Sequence, residues 1–199
     1  GLKAVMEAAI RIQAGFGDVY VAGGVESMTN APFLVPSKVR NGVKMGDMKL
    51  VDSMLHDGLT DGMYNIHMGV TADNIAKKYN ISREDMEQMA LESHTKAAAA
   101  RKAGKLAPSI IPYVKEDGTV ISEDDGILAD AEGNLKTSLE KMAGMKPCFR
   151  ENGKVTAATS SQTTDAASYV ILMDSDYAKE LGIKPIAKLI EFQVAGCDA

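Results

Sequence analysis

Residues 19–28 read Val19-Tyr20-Val21-Ala22-Gly23-Gly24-Val25-Glu26-Ser27-Met28. The run from Val19 to Val25 is short, mostly apolar and rich in β-branched side chains. That pattern predicts a buried strand in a sheet covered on both faces. Gly23-Gly24 let the backbone turn tightly or come close to a neighbour. On the N-terminal side, Leu2, Val5, Met6, Ala9 and Ile10 recur at three- and four-residue spacing, which gives a helix one buried face. Gly15-Phe16-Gly17 ends that helix. A helix feeding such a strand is half of an α/β unit.

Two further strands are expected farther along: one at Ala166 to Met173, buried on both faces like the first, and one at Ile186 to Phe192, where apolar and polar residues alternate. Between the α/β pieces, residues 30–70 read as irregular, a stretch too long for a plain connection. Thr71 to Tyr79 reads as a short helix. Ser82-Arg83-Glu84-Asp85 resembles a capping box, with Ser82 as N-cap and Asp85 at N3. The helix it opens runs to Gly104. Asp117-Gly118 between Ile110–Val114 and Val120-Ile121 predicts a hairpin. Short helices are expected at Ser138 to Met145 and Asp176 to Leu181, and an extended stretch from Val155. The layout is a sheet-based core carrying a large insertion. A helix that begins uncapped at residue 2, and an end without helix or tail, lead us to expect a piece of a longer protein.

The chain has 199 residues and a formal net charge of −5. An acidic balance offers no basic field to hold phosphates, which argues against nucleic-acid and membrane-surface partners. The longest apolar run falls far short of the ~20 residues that span a bilayer. Two cysteines at no zinc spacing point to a reducing, cytoplasmic setting and to no metal site.

Candidate chemistry is sparse. Among the histidines, His67 in Asn65-Ile66-His67-Met68-Gly69 stands out beside a glycine at a helix start. His56 and His94 fall in expected amphipathic helices and read as structural. Cys148, between Pro147 and Phe149, reads as an inert buried thiol, because nothing nearby promises a lowered pKa. Glu123-Asp124-Asp125 reads as a solvated acidic run. Thr156 to Thr164 is rich in small and hydroxyl residues. It suits either a plain polar loop or a wall against which a narrow polar ligand lies.

Several motifs in register resemble the thiolase family, whose members join or cleave acyl groups on coenzyme A. Ala22-Gly23-Gly24-Val25-Glu26-Ser27-Met28 carries the likeness most specifically. Gly42-Val43-Lys44-Met45-Gly46-Asp47 and Asp57-Gly58-Leu59-Thr60-Asp61 resemble its acetyl-CoA acetyltransferase branch. His67-Met68-Gly69, Ile81 to Asp85, Lys146-Pro147-Cys148-Phe149 and Val155-Thr156-Ala157 with Ser160-Ser161 and Asp165 match in order and spacing. Gly1-Leu2-Lys3-Ala4-Val5 resembles the helix that follows the family's nucleophilic cysteine, which would stand three residues before Gly1.

The resemblance implies a five-layered α/β/α/β/α thiolase fold with an inserted loop domain. Residues 1–29 would belong to the N-terminal half and 30–155 to the loop domain. Residues 156–183 would return to the N-terminal half, and 184–199 would begin the C-terminal half. It implies an acetyl-CoA acetyltransferase working through an acyl-cysteine, with coenzyme A or acetyl-CoA as substrate, no permanently bound cofactor, and a full-length homo-oligomer, dimer or tetramer. It places Leu59, His67, Met68, Phe149, Ala157 and Ser161 on coenzyme A-contacting positions. It places the nucleophilic cysteine, the histidine and the second cysteine outside these residues. Leu128 stands where an arginine is common near the nucleotide. Ala158-Thr159-Ser160-Ser161-Gln162 departs from the acetyltransferase pattern toward degradative 3-ketoacyl-CoA thiolases. The alternatives are such a thiolase, or a non-catalytic thiolase-like protein that binds acyl-CoA or lipid.

Overall fold

The computed structural model describes residues 1–198; Ala199, last of the expected 184–199 segment, lies outside the described residues. In chain order the elements begin with α1 (Leu2–Gln13), β1 (Val19–Ser27), β2 (Phe33–Leu34), β3 (Val51–Asp52), β4 (Thr60–Asp61), β5 (Ile66–His67) and α2 (Met68–Lys78). They continue with α3 (Arg83–Lys102), β6 (Tyr113–Val114), β7 (Val120–Ile121), α4 (Leu139–Ala143), β8 (Asp165–Met173) and α5 (Ser175–Glu180). The chain divides into two compact units, Gly1–Gly58 with Thr163–Asp198, and Leu59–Gln162.

In the first unit β1 pairs antiparallel with β8, from Val19 opposite Met173 to Ser27 opposite Asp165. Gly23 is needed for this pairing, because a Cβ there would lie 2.2 Å from the Ser168 carbonyl oxygen. The α1 helix packs on both strands and buries Ala8 and Ala9. Asp165 ties the end of β8 to the chain after β1, its Oδ1 accepting from the Thr29 amide at 2.9 Å.

Three expectations are corrected here. The strands at 19–25 and 166–173 are not covered on both faces: Ala22 is buried, but Val21 is 69% and Val25 70% exposed, and Tyr169, Val170 and Ile171 are exposed too. The reason is that, within this unit and among the described residues, β1 and β8 form a two-stranded sheet with α1 packed against it. The strand expected at Ile186 to Phe192 does not form, and Ile186 and Ile190 are exposed. An extended segment becomes a strand only by pairing, and this one has no paired neighbour among the described residues. His56 is corrected too: it lies in a π-helical turn, Met54–Gly58, exposed and 2.6 Å from the Asp57 carboxylate.

The second unit is built on α2, α3 and α4 with two short hairpins. The α3 helix opens with the expected capping box: Ser82 Oγ accepts from the Asp85 amide, and Asp85 Oδ2 accepts from the Ser82 amide. Two orphan helix amides are thereby satisfied. Arg83 then reaches across to α4. Its Nη2 donates to the carbonyls of Met142, Ala143 and Met145, and its Nε lies 2.6 Å from the nearly buried Glu87 carboxylate. Ala76, Ala98, Met142 and Val155 are buried and form the small core. The hairpin of β6 and β7 forms as read, though shorter, with Tyr113 opposite Ile121. Among the described residues no helix is long and apolar enough to cross a membrane.

Candidate functional site

All six expected site residues fall in the second unit, Leu59–Gln162. Their placement starts from the hairpin of β4 and β5. Asp61 Oδ1 accepts from the amides of Met63 and Tyr64, and the Asp61 carbonyl from Asn65. Asn65 takes φ 53°, a left-handed turn conformation that Asn tolerates better than most residues. The turn brings His67 opposite Thr60, and the Met68 amide donates to the Leu59 carbonyl at 2.9 Å. Leu59 and Met68 are thereby fixed next to one another.

His67 is the N-cap of α2. Its Nδ1 accepts from the Gly69 amide at 2.9 Å. A backbone amide only donates, so Nδ1 carries no proton and the neutral ring is protonated on Nε2. The cap also explains why α2 begins at Met68 and not at Thr71. The Phe149 ring stacks on the imidazole, with centroids 4.6 Å apart and planes 20° from parallel. The same ring lies over Gly69, where a Cβ would sit 2.3 Å from its carbons. Phe149 and His67 are half-buried, while Met68 is exposed beside them.

The loop holding Phe149 is closed by the Cys148 amide, which donates to the Val155 carbonyl at 3.0 Å. The Val155 amide is held by Asp73 of α2. Asp73 Oδ1 accepts from the amides of Lys154 at 2.8 Å and Val155 at 3.1 Å. The chain then enters a 3₁₀ turn at Ala157–Thr159. Thr159 Oγ1 accepts from the Thr156 amide, and the Ser160 hydroxyl donates to the Thr156 carbonyl at 2.8 Å. Thr156 is fully buried, whereas Ala157 and Ser161 are exposed. Among the described residues no hydrogen bond or ring contact joins Ser161 to the other five, and Ala157 is linked to them through Val155. The backbone is extended at Thr156 and again at Ser160, so the extended stretch expected from Val155 is interrupted by this turn.

Cys148 is corrected: its thiol is exposed, with Sγ 3.8 Å from the Lys146 carbonyl. It is the Cys148 backbone that the fold pins, so the side chain is left outside the packing. Sequence reasoning missed Asp73, Gly69 and Arg83. A signal for Asp73 was present. Gly69, Asp73 and Ala76 make the buried stripe of α2 at helical spacing, so one position of an otherwise small apolar face is charged.

Chemically, the site offers a half-buried aromatic stack, an exposed thioether and a turn lined with hydroxyls. That set suits a narrow ligand with apolar stretches and polar groups between them.

Comparison with known proteins agrees with the motifs. The model for the thiolase N-terminal domain matches residues 1–176. The acetyl-CoA acetyltransferase of Cupriavidus necator is 44% identical over all of this chain and 50% of its own length. The beta-ketothiolase BktB of the same organism is 42% identical over all of this chain and 49% of its own. A solved structure of acetyl-CoA acetyltransferase from Syntrophomonas wolfei superposes with a TM-score of 0.82 at 40% identity, covering 93% of this chain and 45% of that one. The chain spans about half the length of the curated relatives it matches.

Proposed function

The chain belongs to the thiolase family, and we propose that it supplies the coenzyme A-binding part of an acetyl-CoA acetyltransferase. The full-length protein transfers acyl groups between coenzyme A thioesters. A cysteine thiolate attacks the thioester carbonyl and coenzyme A leaves as its thiolate. A base then takes the α-proton of a second acyl-CoA, and the enolate attacks the acyl-cysteine carbonyl, forming the C–C bond of a 3-ketoacyl-CoA and releasing the cysteine thiolate. By the family resemblance, the cysteines and the oxyanion-binding groups stand outside these residues. What this chain contributes is binding. On this reading it acts on acyl-CoA in fatty acid metabolism, in the cytoplasm, as a homo-oligomer, and needs no permanent cofactor. Family membership supports that placement.

The observation that carries the proposal is the His67–Phe149 stack at the head of α2, with Met68 exposed beside it. The pantetheine arm is thin and alternates apolar segments with amides. Leu59, Met68 and Phe149 take the apolar segments, Ser161 hydrogen-bonds an amide, and the small Ala157 leaves room for the arm. The test is coenzyme A titration of the full-length protein. Ser161→Ala should weaken binding by about 1 kcal/mol, the scale of one net hydrogen bond. Ala157→Phe should abolish it by filling the channel. Unchanged affinity in both variants would sink the assignment.

A degradative 3-ketoacyl-CoA thiolase is the second reading. The run Ala158-Thr159-Ser160-Ser161-Gln162 favours it, since Thr159 and Gln162 resemble the degradative enzymes at those positions. Comparing kcat/KM for short and long 3-ketoacyl-CoA substrates separates the two.

A further inference from the structure

We propose that Asp73 is a positioning residue for the coenzyme A groove, holding the segment that carries Ala157 and Ser161 to the helix that carries His67 and Met68. This rests on the binding role proposed above for those residues.

Asp73 lies in the second turn of α2 and is only 6% exposed. Its Oδ1 takes two backbone amides, Lys154 and Val155, some eighty residues away in sequence. The Val155 carbonyl accepts from the amide of Cys148, the residue before Phe149. One carboxylate oxygen therefore fixes three parts of the site at once: the head of α2, the Phe149 loop and the entry to the 157–161 turn. Lys154 adds a second tie, its Nζ donating to the Ile81 carbonyl at 2.5 Å.

The other oxygen is what separates this from ordinary packing. Asp73 Oδ2 is buried and has no hydrogen-bond partner among the described residues. Burying such a group costs stability, and an apolar side chain would fill the same space without that cost. The carboxylate is aimed at the chain turn, with a Cβ at Gly153 falling 2.5 Å from Oδ2 and 3.1 Å from Cγ. Gly153 does not have a positive φ, so it is small because the carboxylate lies against it. The pair Asp73 and Gly153 sets how closely the return segment approaches α2, and so the width of the groove between Met68 and Ala157.

The experiment titrates the full-length protein and its variants with coenzyme A, and separately with the adenine nucleotide portion lacking the pantetheine arm. Asp73→Ala should lose about tenfold in coenzyme A affinity, because the released segment must then be ordered at the moment of binding. Nucleotide-portion affinity should not change. Asp73→Asn keeps an acceptor in place and should bind coenzyme A within about threefold of the parent. Gly153→Ala leaves every hydrogen-bonding group present but displaces the carboxylate, and should weaken coenzyme A selectively, like Asp73→Ala. If Asp73→Ala does not fold, the Asp73→Asn and Gly153→Ala pair decides. Arg101→Ala, which breaks a tether to the Ala129 and Asp130 carbonyls elsewhere in the unit, is the control for general loosening. Equal losses in Arg101→Ala and Asp73→Ala, or in Asp73→Asn and Asp73→Ala, overturn the proposal. So does unchanged coenzyme A affinity in both Asp73→Ala and Gly153→Ala. A parent protein that does not bind coenzyme A brings down the functional reading and this one with it. A parent that binds, with variants that bind equally well, brings down the role of Asp73 alone.

Discussion

Gly69 shows how one atom governs the site. Replacing it with Ala improves helix propensity by roughly 0.5–1 kcal/mol. The new Cβ would meet the Phe149 ring at 2.3 Å, however, and forcing a methyl into packed space costs roughly 1–3 kcal/mol. The steric cost is the larger, so Gly69→Ala should destabilise the protein by about 1 kcal/mol and push Phe149 off His67. Denaturant melts check the first effect, and a loss of coenzyme A affinity the second. A more stable variant with unchanged binding would show that the ring moves freely. None of this was legible at the residue level in the sequence, where Gly69 read only as a helix-start neighbour of His67.

The helix starts illustrate what is legible one level up. Ser82 to Asp85 spells a capping box, and the structure forms it, because every group involved lies within four residues. Ser82→Ala should cost about 1 kcal/mol, read from a thermal melt. Its partner links the element to pH. The Ser82 hydroxyl and amide, donating to the Asp85 carboxylate, hold it below the usual carboxylate range. At α5, the amides of Tyr177 and Asp176 do the same for Asp174. Groups with a depressed folded pKa contribute stability that is fully present above the unfolded value of about 3.9 and is lost as pH falls through the lower folded value. Helical signal should therefore hold at neutral pH and weaken in that acid window. Asp85→Asn and Asp174→Asn should flatten the acid limb; an identical limb in the variants would contradict the assignment. The cap of α2 was not legible, since His67 is an uncommon N-cap and its role depends on the hairpin that aims it.

For the chain as a whole, the informative feature is apolar surface. Val21, Val25, Tyr169 and Ile171 of the paired strands are exposed, although their sequence is that of a buried core. Surface of this kind promotes association. The 199-residue chain on its own should therefore bind a hydrophobic dye and self-associate as concentration rises. A monodisperse monomer that ignores the dye would count against this. The sequence by itself determined the family, the existence of α1, β1, α3 and β8, and the capping box. Those rest on short-range periodicity, local hydrogen bonding and contiguous motifs. It also offered the six site residues, but by resemblance and without their geometry. Only the tertiary structure decided that β1 has an open face and that residues 186–192 form no strand. It alone put Phe149 on His67 and made Asp73 the clamp on Lys154 and Val155. Each of these depends on which distant segments meet, since a face is buried, a strand is made and a buried carboxylate is satisfied only by partners far away in the chain.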